Sequence, residues 1–334
     1  MPFMSLFTSS LILGSILSIS STHWVFIWMG LELNLMSFVP LLAYSNKFNE
    51  AEASMKYFLA QALGSGLILL GSLSFFISPH MLFNPDFLNM LLFMGLITKL
   101  GLPPCHFWFP SVMSLISWPM CMVLTTWQKL VPMIIIFYII MPSMNLITFF
   151  IILLSSLLGG FGGLNQTQLR PLLAYSSIGH MSWMMAASTS SYMSSIIYLI
   201  IYVIISIPLM MLLWLSSSMS QMISSNFSFN SPTLSISMFM LMLSLGGLPP
   251  FLGFFPKWMV METLNSSFTI IIFITLLGSI INLYYYLNLT FISVLTLKTP
   301  ALIYSTTPVY TMSLFLPLVA TMSLGLGPIL FILI

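Results

Sequence analysis

The stretch "GLPPFLGFFPKW" at residues 247–258 decides the fold of this chain, because it places adjacent prolines and a lysine inside an apolar segment. A related stretch, "GLPPCHFWFP" at 101–110, is identical to residues 247–256 at six of ten positions and follows another lysine, Lys99. A proline has no N–H, and its ring clashes with the carbonyl four residues earlier, so each Pro-Pro pair interrupts a helix. The sequence therefore predicts two helix breaks, 146 residues apart, each beside a lysine.

The composition places the chain in a membrane. Only 4% of its 334 residues are charged and 59% are hydrophobic, whereas soluble domains contain about 25% charged residues. Apolar runs of about 20 residues, the length that crosses a bilayer, recur along the whole chain. We expect an all-α integral membrane protein that forms one domain over residues 1–334, with eleven spans. The predicted spans lie near residues 3–21, 24–44, 56–78, 87–118, 120–140, 146–163, 171–189, 192–216, 233–262, 267–290 and 308–333.

The fourth and ninth spans are longer than the rest and contain the two Pro-Pro pairs, so we expect each to consist of two half-helices. The prolines of the first pair free the carbonyls of Lys99 and Leu100, and those of the second pair free the carbonyls of Leu245 and Gly246. Lipid cannot satisfy free backbone groups, so a broken span has to line a hydrated, protein-enclosed cavity. A packing kink without a transport role is the alternative.

The remaining composition argues against a redox or hydrolytic site within this chain. No extramembrane segment is large enough to form an enzyme domain. Cys105 and Cys121 are sixteen residues apart, a spacing that supports neither a disulfide framework nor a zinc or iron–sulfur site. The four histidines show no paired spacing that would suit a haem.

The loop cations predict the orientation of the chain. With eleven spans, Lys47 and Lys56 follow the second span, Arg170 follows the sixth and Lys298 follows the tenth. All four then face the same compartment, as the positive-inside rule requires.

Charged side chains inside the spans are the candidate functional residues. A charge at the bilayer centre costs about 2.5–3.5 kcal/mol on insertion scales, so such a residue is expected to face the bundle interior and to find a partner. Glu32 and Lys129 lie near the middle of their spans, and Lys99 and Lys257 lie beside the predicted breaks. For Glu32 the alternative is an acid that stays protonated and buried, or one half of a structural ion pair, and for Lys129 it is a structural role. Glu262 lies at the end of its span, where a solvated interfacial role is expected.

Two histidines have polar or helix-breaking surroundings. In "NQTQLRPLLAYSSIGHMSW", residues 165–183, Ser176, His180 and Trp183 fall on one helical face. His106 lies inside the first Pro-Pro repeat. Because histidine titrates near neutral pH, each could relay protons, and packing in the core remains an equal alternative.

Together, the two GLPP segments, the mid-span charges and "QTQLRPLLAYSSIGHMSW" resemble the proton-pumping, antiporter-like subunits of respiratory complex I. In its eleven predicted spans and its 29 methionines, the sequence resembles the animal, mitochondrially encoded members of this family, those of insects included. The resemblance implies a place in the mitochondrial inner membrane with Lys47, Lys56, Arg170 and Lys298 facing the matrix. It also implies a proton relay at mid-membrane. Its members would be Glu32, Lys99, Lys129, Lys257, His106 and His180, with Glu32 close to Lys99 as counter-ion.

The resemblance further implies that proton conduction is coupled to quinone reduction elsewhere in a larger complex. That complex would use FMN, iron–sulfur clusters, NADH and ubiquinone, and this chain would hold none of them. Its partners would be other membrane subunits and lipids, with no nucleic acid. Two rival hypotheses remain open, a free-standing sodium/proton antiporter and a structural scaffold subunit without its own proton path.

Overall fold

The computed structural model describes residues 2–44, 47–72, 85–139, 145–215, 232–264 and 269–295. These residues form helices and no strands. The chain divides into two compact units, Met1–Ser155 and Ser156–Ile334, which we call unit 1 and unit 2. The boundary lies within a helix, and the single domain expected from the sequence stays a prediction.

Unit 1 is built from helices that pack mainly on their neighbours in the chain. α1 packs on α2, α2 on α3, and α3 on both α4 and α5, while α7 contacts α1, α4 and α6. The helices are α1 (Pro2–Ser20), α2 (Trp24–Leu42), α3 (Phe48–Ser72), α4 (Pro85–Leu100), α5 (Trp108–Leu115), α6 (Trp118–Thr125), α7 (Trp127–Ile139) and α8 (Asn145–Leu164), which continues into unit 2.

Helix α3 begins earlier than the predicted third span and contains Lys56, which the sequence analysis placed in a loop. Glu50 in the first turn interacts favourably with the positive end of the helix dipole. Glu52 forms a 2.6 Å ion pair with Lys56 one turn later. These charges extend the helix by two turns beyond the predicted start of the third span, and the side of the membrane that Lys56 faces stays a prediction.

The span predicted over 120–140 is interrupted at Thr126, between α6 and α7. The hydroxyl of Thr126 donates to the carbonyl of Met122 over 2.7 Å, and that of Thr125 donates to the carbonyl of Cys121 over 2.9 Å. These local bonds compete with the helical backbone pattern. The sequence analysis did not predict this interruption, which lies three residues before Lys129.

Unit 2 is centred on α9. Its residues from Pro171 to Ala187 are buried apart from Tyr175, as expected of a helix with neighbours on every side. α9 contacts α10, α12 and α13, while α11 packs on α10 and α13. The helices of this unit, besides the end of α8, are α9 (Leu169–Ser190), α10 (Tyr192–Leu215), α11 (Pro232–Gly246), α12 (Phe254–Leu264) and α13 (Thr269–Leu295).

Seven helical segments of the described residues are long and apolar enough to cross a membrane, and two shorter apolar helices, Phe87–Leu100 and Ser235–Gly246, precede the GLPP segments. The all-helical membrane architecture is therefore confirmed. The count of eleven spans stays a prediction, and the last predicted span, 308–333, lies outside the described residues.

Candidate functional site

The first GLPP segment ends α4 at Leu100. Gly101 has a positive φ of 72°, and its N–H donates to the carbonyl of Thr98 over 3.2 Å. The N–H of Leu102 reaches back to the carbonyl of Ile97 over 3.1 Å. This pair of bonds is the Schellman motif, in which a left-handed residue, usually glycine, ends a helix. The chain thus leaves the helix at the glycine, before either proline.

The carbonyl of Lys99, one of those freed by the prolines, accepts a 3.0 Å hydrogen bond from the side-chain amide of Gln61 on α3. Gly64 permits the close approach of α3, because a Cβ at that position would lie 2.9 Å from Cγ of Lys99. The indole of Trp108, at the start of α5, donates to the carbonyl of Thr98 over 3.1 Å. Side chains therefore replace backbone partners at this helix end.

The second GLPP segment repeats the same geometry in unit 2. α11 ends at Gly246, and Gly247 has a positive φ of 79°. Its N–H donates to the carbonyls of Leu243 and Ser244 over 3.0 and 3.1 Å. α12 begins at Phe254, so the non-helical gap has the same seven-residue length as the gap between α4 and α5.

Lys257 lies across this second gap. Its Nζ donates a 2.7 Å hydrogen bond to the carbonyl of Gly246, which is four residues before Pro250 and therefore freed by it. The side chain of Lys257 is buried. Gly247 leaves the room for it, since a Cβ there would lie 2.8 Å from the ammonium nitrogen.

A small cavity lies in unit 1 beside the first gap. Two lysines, Lys99 and Lys129, line it, and each has only 6% of its surface exposed. The other lining residues combine polar side chains with an apolar wall. They are Tyr57, Gln61, Leu100, Trp108, Phe109, Leu124 and Gln128. Two of the lysines that the sequence singled out, Lys99 and Lys129, thus line the same buried space.

The ammonium of Lys129 lies 4.5 Å from the ring centroid of Phe109 on α5. At this distance the negative face of the ring attracts the cation. Phe109 is two residues into α5, directly after the first gap. The central lysine of unit 1 is therefore in contact with the helix that follows the break.

A chain of hydrogen bonds connects the cavity to α2. The hydroxyl of Tyr57 donates to Oε1 of Gln128 over 3.4 Å, and the amide of Gln128 donates to Oδ1 of Asn34 over 2.9 Å. Gln128 is the residue before Lys129, and Asn34 is two residues after Glu32. These hydrogen bonds connect α2, α3 and α7. Each of the three helices carries a candidate ionisable residue or lines the cavity.

Glu32 is half-buried on α2. Its carboxylate interacts electrostatically with Lys99 and with Tyr57. No direct ion pair within 4.0 Å joins Glu32 and Lys99 in the described part of the chain. The two residues belong to the same electrostatic environment without touching.

His180 belongs to unit 2 and lines a second small cavity. Its Nδ1 is 3.0 Å from the hydroxyl of Tyr198, and its ring centroid is 5.3 Å from that of Tyr202. The cavity reaches the second gap, because Gly253 and Ser244 also line it. His180 is therefore one wall of a space beside the break of unit 2.

His106 is buried within the first gap, between the exposed side chains of Cys105 and Phe107. Its ring centroid is 4.1 Å from that of Phe107. Its Nδ1 has no hydrogen-bond partner among the described residues. His106 does not line the cavity that holds Lys99 and Lys129.

Comparison with known proteins agrees with these features. The family model described as "NADH:quinone oxidoreductase/Mrp antiporter, TM" matches residues 21–282. A protein from Lumbricus terrestris, "NADH-ubiquinone oxidoreductase chain 2", is 42% identical over 98% of this chain and 97% of its own length. The protein of the same name from Locusta migratoria is 37% identical over 87% of this chain and 85% of its own. The chain belongs to the NADH-ubiquinone oxidoreductase chain 2 family.

Solved structures show the same fold. "Respiratory complex I from Thermus thermophilus with bound Aureothin" contains a chain with a TM-score of 0.81 and 24% identity, over 97% of this chain and 78% of that one. "Structure of Mrp complex from Dietzia sp. DQ12-45-1b" gives a TM-score of 0.83 at 14% identity, over 97% and 74%. The fold of this chain 2 family member is thus shared with chains of two different complexes.

The cations outside the candidate relay of this chain 2 family member lie at helix ends and loops. Lys47 is exposed just before α3, Lys56 is in that helix, and Arg170 is the second residue of α9. Lys298 lies outside the described residues. Glu262 is exposed near the end of α12, as its position in the sequence suggested.

Three polar residues of the unit 1 cavity were missed by the sequence analysis, namely Tyr57, Gln61 and Gln128. Gln61 is a polar residue within an apolar run, and Gln128 directly precedes the mid-span lysine. These two sequence features could have identified Gln61 and Gln128 as candidate residues of the cavity. Tyr198 and Tyr202 carried no such signal, because tyrosine is common in membrane helices near interfaces.

Proposed function

We propose that six ionisable residues of this chain form a proton relay. The members are Glu32, Lys99, Lys129, Lys257, His106 and His180. The relay serves a chain that, as a member of its family, is a proton-translocating membrane subunit of respiratory complex I, the H⁺-translocating NADH:ubiquinone oxidoreductase. It is a multi-pass protein of the mitochondrial inner membrane with other membrane subunits as its partners.

One observation carries the proposal most directly, which is the presence of two nearly inaccessible lysines on one cavity in unit 1. Two ammonium groups in a low-dielectric space repel each other, so occupation of both by protons at once is costly. The polar side chains that line the cavity make the space suitable for water. A proton that arrives at one lysine thus favours release from the other.

Glu32 controls the first step in this scheme. Its carboxylate stabilises the charged form of Lys99 when the two approach, and that stabilisation is lost when they separate. In the structure they interact without direct contact, so a small movement of either side chain changes the interaction.

The two GLPP gaps are the interruptions of two membrane spans in this proposal. α4 with α5 forms the first broken span, and α11 with α12 forms the second, within a total of eleven. Lys47, Lys56, Arg170 and Lys298 face the matrix in this arrangement. The positive-inside rule supports that orientation.

The redox chemistry takes place outside this chain. Complex I uses FMN and iron–sulfur clusters, and it transfers electrons from NADH to ubiquinone. In this proposal the chain contributes proton transfer alone, in contact with lipids as well as with its partner subunits.

The experiment that tests the proposal replaces Lys129 by Met in the assembled complex. Proton translocation in sealed vesicles is expected to fall by about tenfold or more, because a positioned proton-transfer group typically contributes 10²–10⁴-fold. The matched control is Lys47→Met, which makes the same change at an exposed position. Translocation at the wild-type rate in the Lys129→Met complex would remove the relay and leave the scaffold hypothesis.

Native electrophoresis of the same membranes tests the other hypothesis, a free-standing sodium/proton antiporter. We expect the chain to migrate only with the complex, and Lys129→Met to leave that assembly intact. A chain that migrates alone and exchanges sodium for protons in vesicles would be a free-standing antiporter.

A further inference from the structure

Two tyrosines of α10 pack against the imidazole of His180. Tyr198 and Tyr202 are one helical turn apart, so their side chains leave α10 on the same face. Their ring centroids lie 6.2 and 5.3 Å from that of His180. Both tyrosines are buried. The imidazole therefore lies against two buried phenol rings that come from one face of a neighbouring helix.

The hydroxyl groups of these two tyrosines have different partners. The hydroxyl of Tyr198 is 3.0 Å from Nδ1 of His180. The hydroxyl of Tyr202 forms a hydrogen bond with Ser177, which is three residues before His180 on α9. Tyr198 thus contacts a ring nitrogen of the histidine, whereas Tyr202 contacts its ring by packing.

The bond at Nδ1 decides which nitrogen of His180 exchanges a proton. A neutral imidazole carries one N–H, and the hydrogen bond made by one ring nitrogen selects the nitrogen that carries it. When Nδ1–H donates to the Tyr198 oxygen, the lone pair of the neutral ring is on Nε2. A proton then binds and leaves at Nε2, and the bond from Nδ1 is the same in both charge states of the ring.

The reverse bond, in which Tyr198 donates to Nδ1, would make the tyrosine a step of the transfer. Protonation at Nδ1 would then break the bond or take the phenol proton and leave a phenolate. Tyr198 is buried and interacts with two further phenols, Tyr202 and Tyr286, while the cation of α12, Lys257, is bonded to the carbonyl of Gly246. A buried ion without a paired counter-ion is costly, so the bond from Nδ1–H to the phenol oxygen is favoured.

The orientation of His180 matters because of the cavity that it lines. Ser244, Gly253 and Pro256 of the second gap and its borders line the same space, and Lys257 directly follows Pro256. A histidine that can turn its ring would present either nitrogen, or none, to a proton in that space. A ring held at Nδ1 keeps its exchanging nitrogen in one place.

We propose that Tyr198 is a positioning residue for His180. Its hydroxyl oxygen accepts a hydrogen bond from Nδ1–H and holds the imidazole in one tautomer and one orientation, so that protons bind and leave at Nε2. The inference rests on the proposed relay, of which His180 is a member, and assigns the group that orients this member.

The first test is a double-mutant cycle on proton translocation by the assembled complex. Tyr198→Phe removes the hydroxyl and keeps the ring, and translocation is expected to fall about fivefold, the effect of losing one hydrogen bond of ordinary strength. In a complex that already carries His180→Gln, the same change should cause no further loss, because Tyr198 acts through the histidine. Equal losses in the two backgrounds would show a purely structural role for Tyr198 and overturn the inference.

Tyr284→Phe is the matched control, since it makes the same change on a side chain with 58% of its surface exposed. A Tyr198→Phe complex that translocates protons as fast as the Tyr284→Phe complex would also overturn the inference. His180→Gln alone separates the two levels of failure. Normal translocation with that change removes His180 from the relay, whereas loss with His180→Gln and none with Tyr198→Phe removes only the positioning role.

The second test uses the unmodified complex and does not depend on a variant that assembles. Cryo-electron microscopy at a resolution that shows ring orientation is carried out at roughly pH 5 and pH 8, the range in which histidine ordinarily changes its charge. Nδ1 is expected to be within hydrogen-bond distance of the Tyr198 oxygen at both pH values. An imidazole that is turned, or separated from Tyr198, at either pH would contradict the positioning role.

Discussion

The ammonium of Lys257 caps the carbonyl of Gly246 from across the seven-residue gap between α11 and α12. Replacement of Lys257 by Met is expected to lower thermal stability of the assembled complex, because a charged donor to a buried carbonyl is worth about 1.5–3 kcal/mol. Thermal inactivation of NADH oxidation by the complex measures the change. Lys257→Arg keeps a donor and should retain more of the stability than Lys257→Met, and equal losses in the two variants would contradict the capping role.

Gly247 should not tolerate alanine. Its φ of 79° is unfavourable for a residue with a Cβ by about 1–2 kcal/mol, and the added atom would lie 2.8 Å from Nζ of Lys257. We expect Gly247→Ala to reduce both assembly, measured by native electrophoresis, and proton translocation. The neighbouring change Gly246→Ala is the control, since its Cβ would meet other atoms only at 3.6–3.8 Å. Equal effects of the two changes would argue against the turn geometry.

Tyr57 and Gln128 should act as a coupled pair in proton translocation. Tyr57→Phe removes the hydroxyl that donates to Gln128 and keeps the ring packed between Phe38 and Trp108. Gln128→Leu breaks the same bond and also the bond to Asn34. A double-mutant cycle on the translocation rate is expected to give a coupling energy of about 0.5–3 kcal/mol, the range for residues in one network. Strict additivity would show that the bond has no part in transport.

Two glutamates in this chain offer a matched comparison of position. Glu32→Gln removes the charge that interacts with Lys99, so we expect proton translocation to be largely lost while the complex still assembles. Glu262→Gln makes the same change on an exposed side chain near the end of α12 and should leave translocation unchanged. Quinone-linked acidification of vesicles measures both. Equal rates of proton translocation in the Glu32→Gln and Glu262→Gln complexes would show that proton transfer does not depend on Glu32.

The two helix ends at the GLPP segments could be predicted from the sequence because their causes are local. The prolines and the glycine of each segment act on residues within one turn, and the predicted positions, Lys99–Leu100 and Leu245–Gly246, lie at the observed helix ends. The glycine was overlooked, although it is the residue that turns the chain. The interruption at Thr126 has no proline and depends on hydroxyl bonds, so the sequence pattern did not reveal it.

The composition of the cavity in unit 1 could be predicted only in part. Lys99 and Lys129 were found because a charge inside an apolar span is rare. Gln61 and Tyr57 come from a third helix, and their place beside the lysines depends on how α3 packs against α4 at Gly64. Helix packing of that kind is set by side-chain shapes across two segments, which a single sequence does not specify.

Phe109 touches both the turn and the central lysine of unit 1. A Cβ at Gly101 would lie 2.9 Å from that of Phe109, while the ammonium of Lys129 lies over its ring. A rotation of α5 about the gap would move the ring of Phe109 away from Lys129. The contact between the ammonium group and the ring would then be lost. The same motion would pull on the Trp108 indole, whose bond fixes the end of the helix that holds Lys99. A rotation of α5 about the gap would therefore alter the surroundings of Lys99 and Lys129 together.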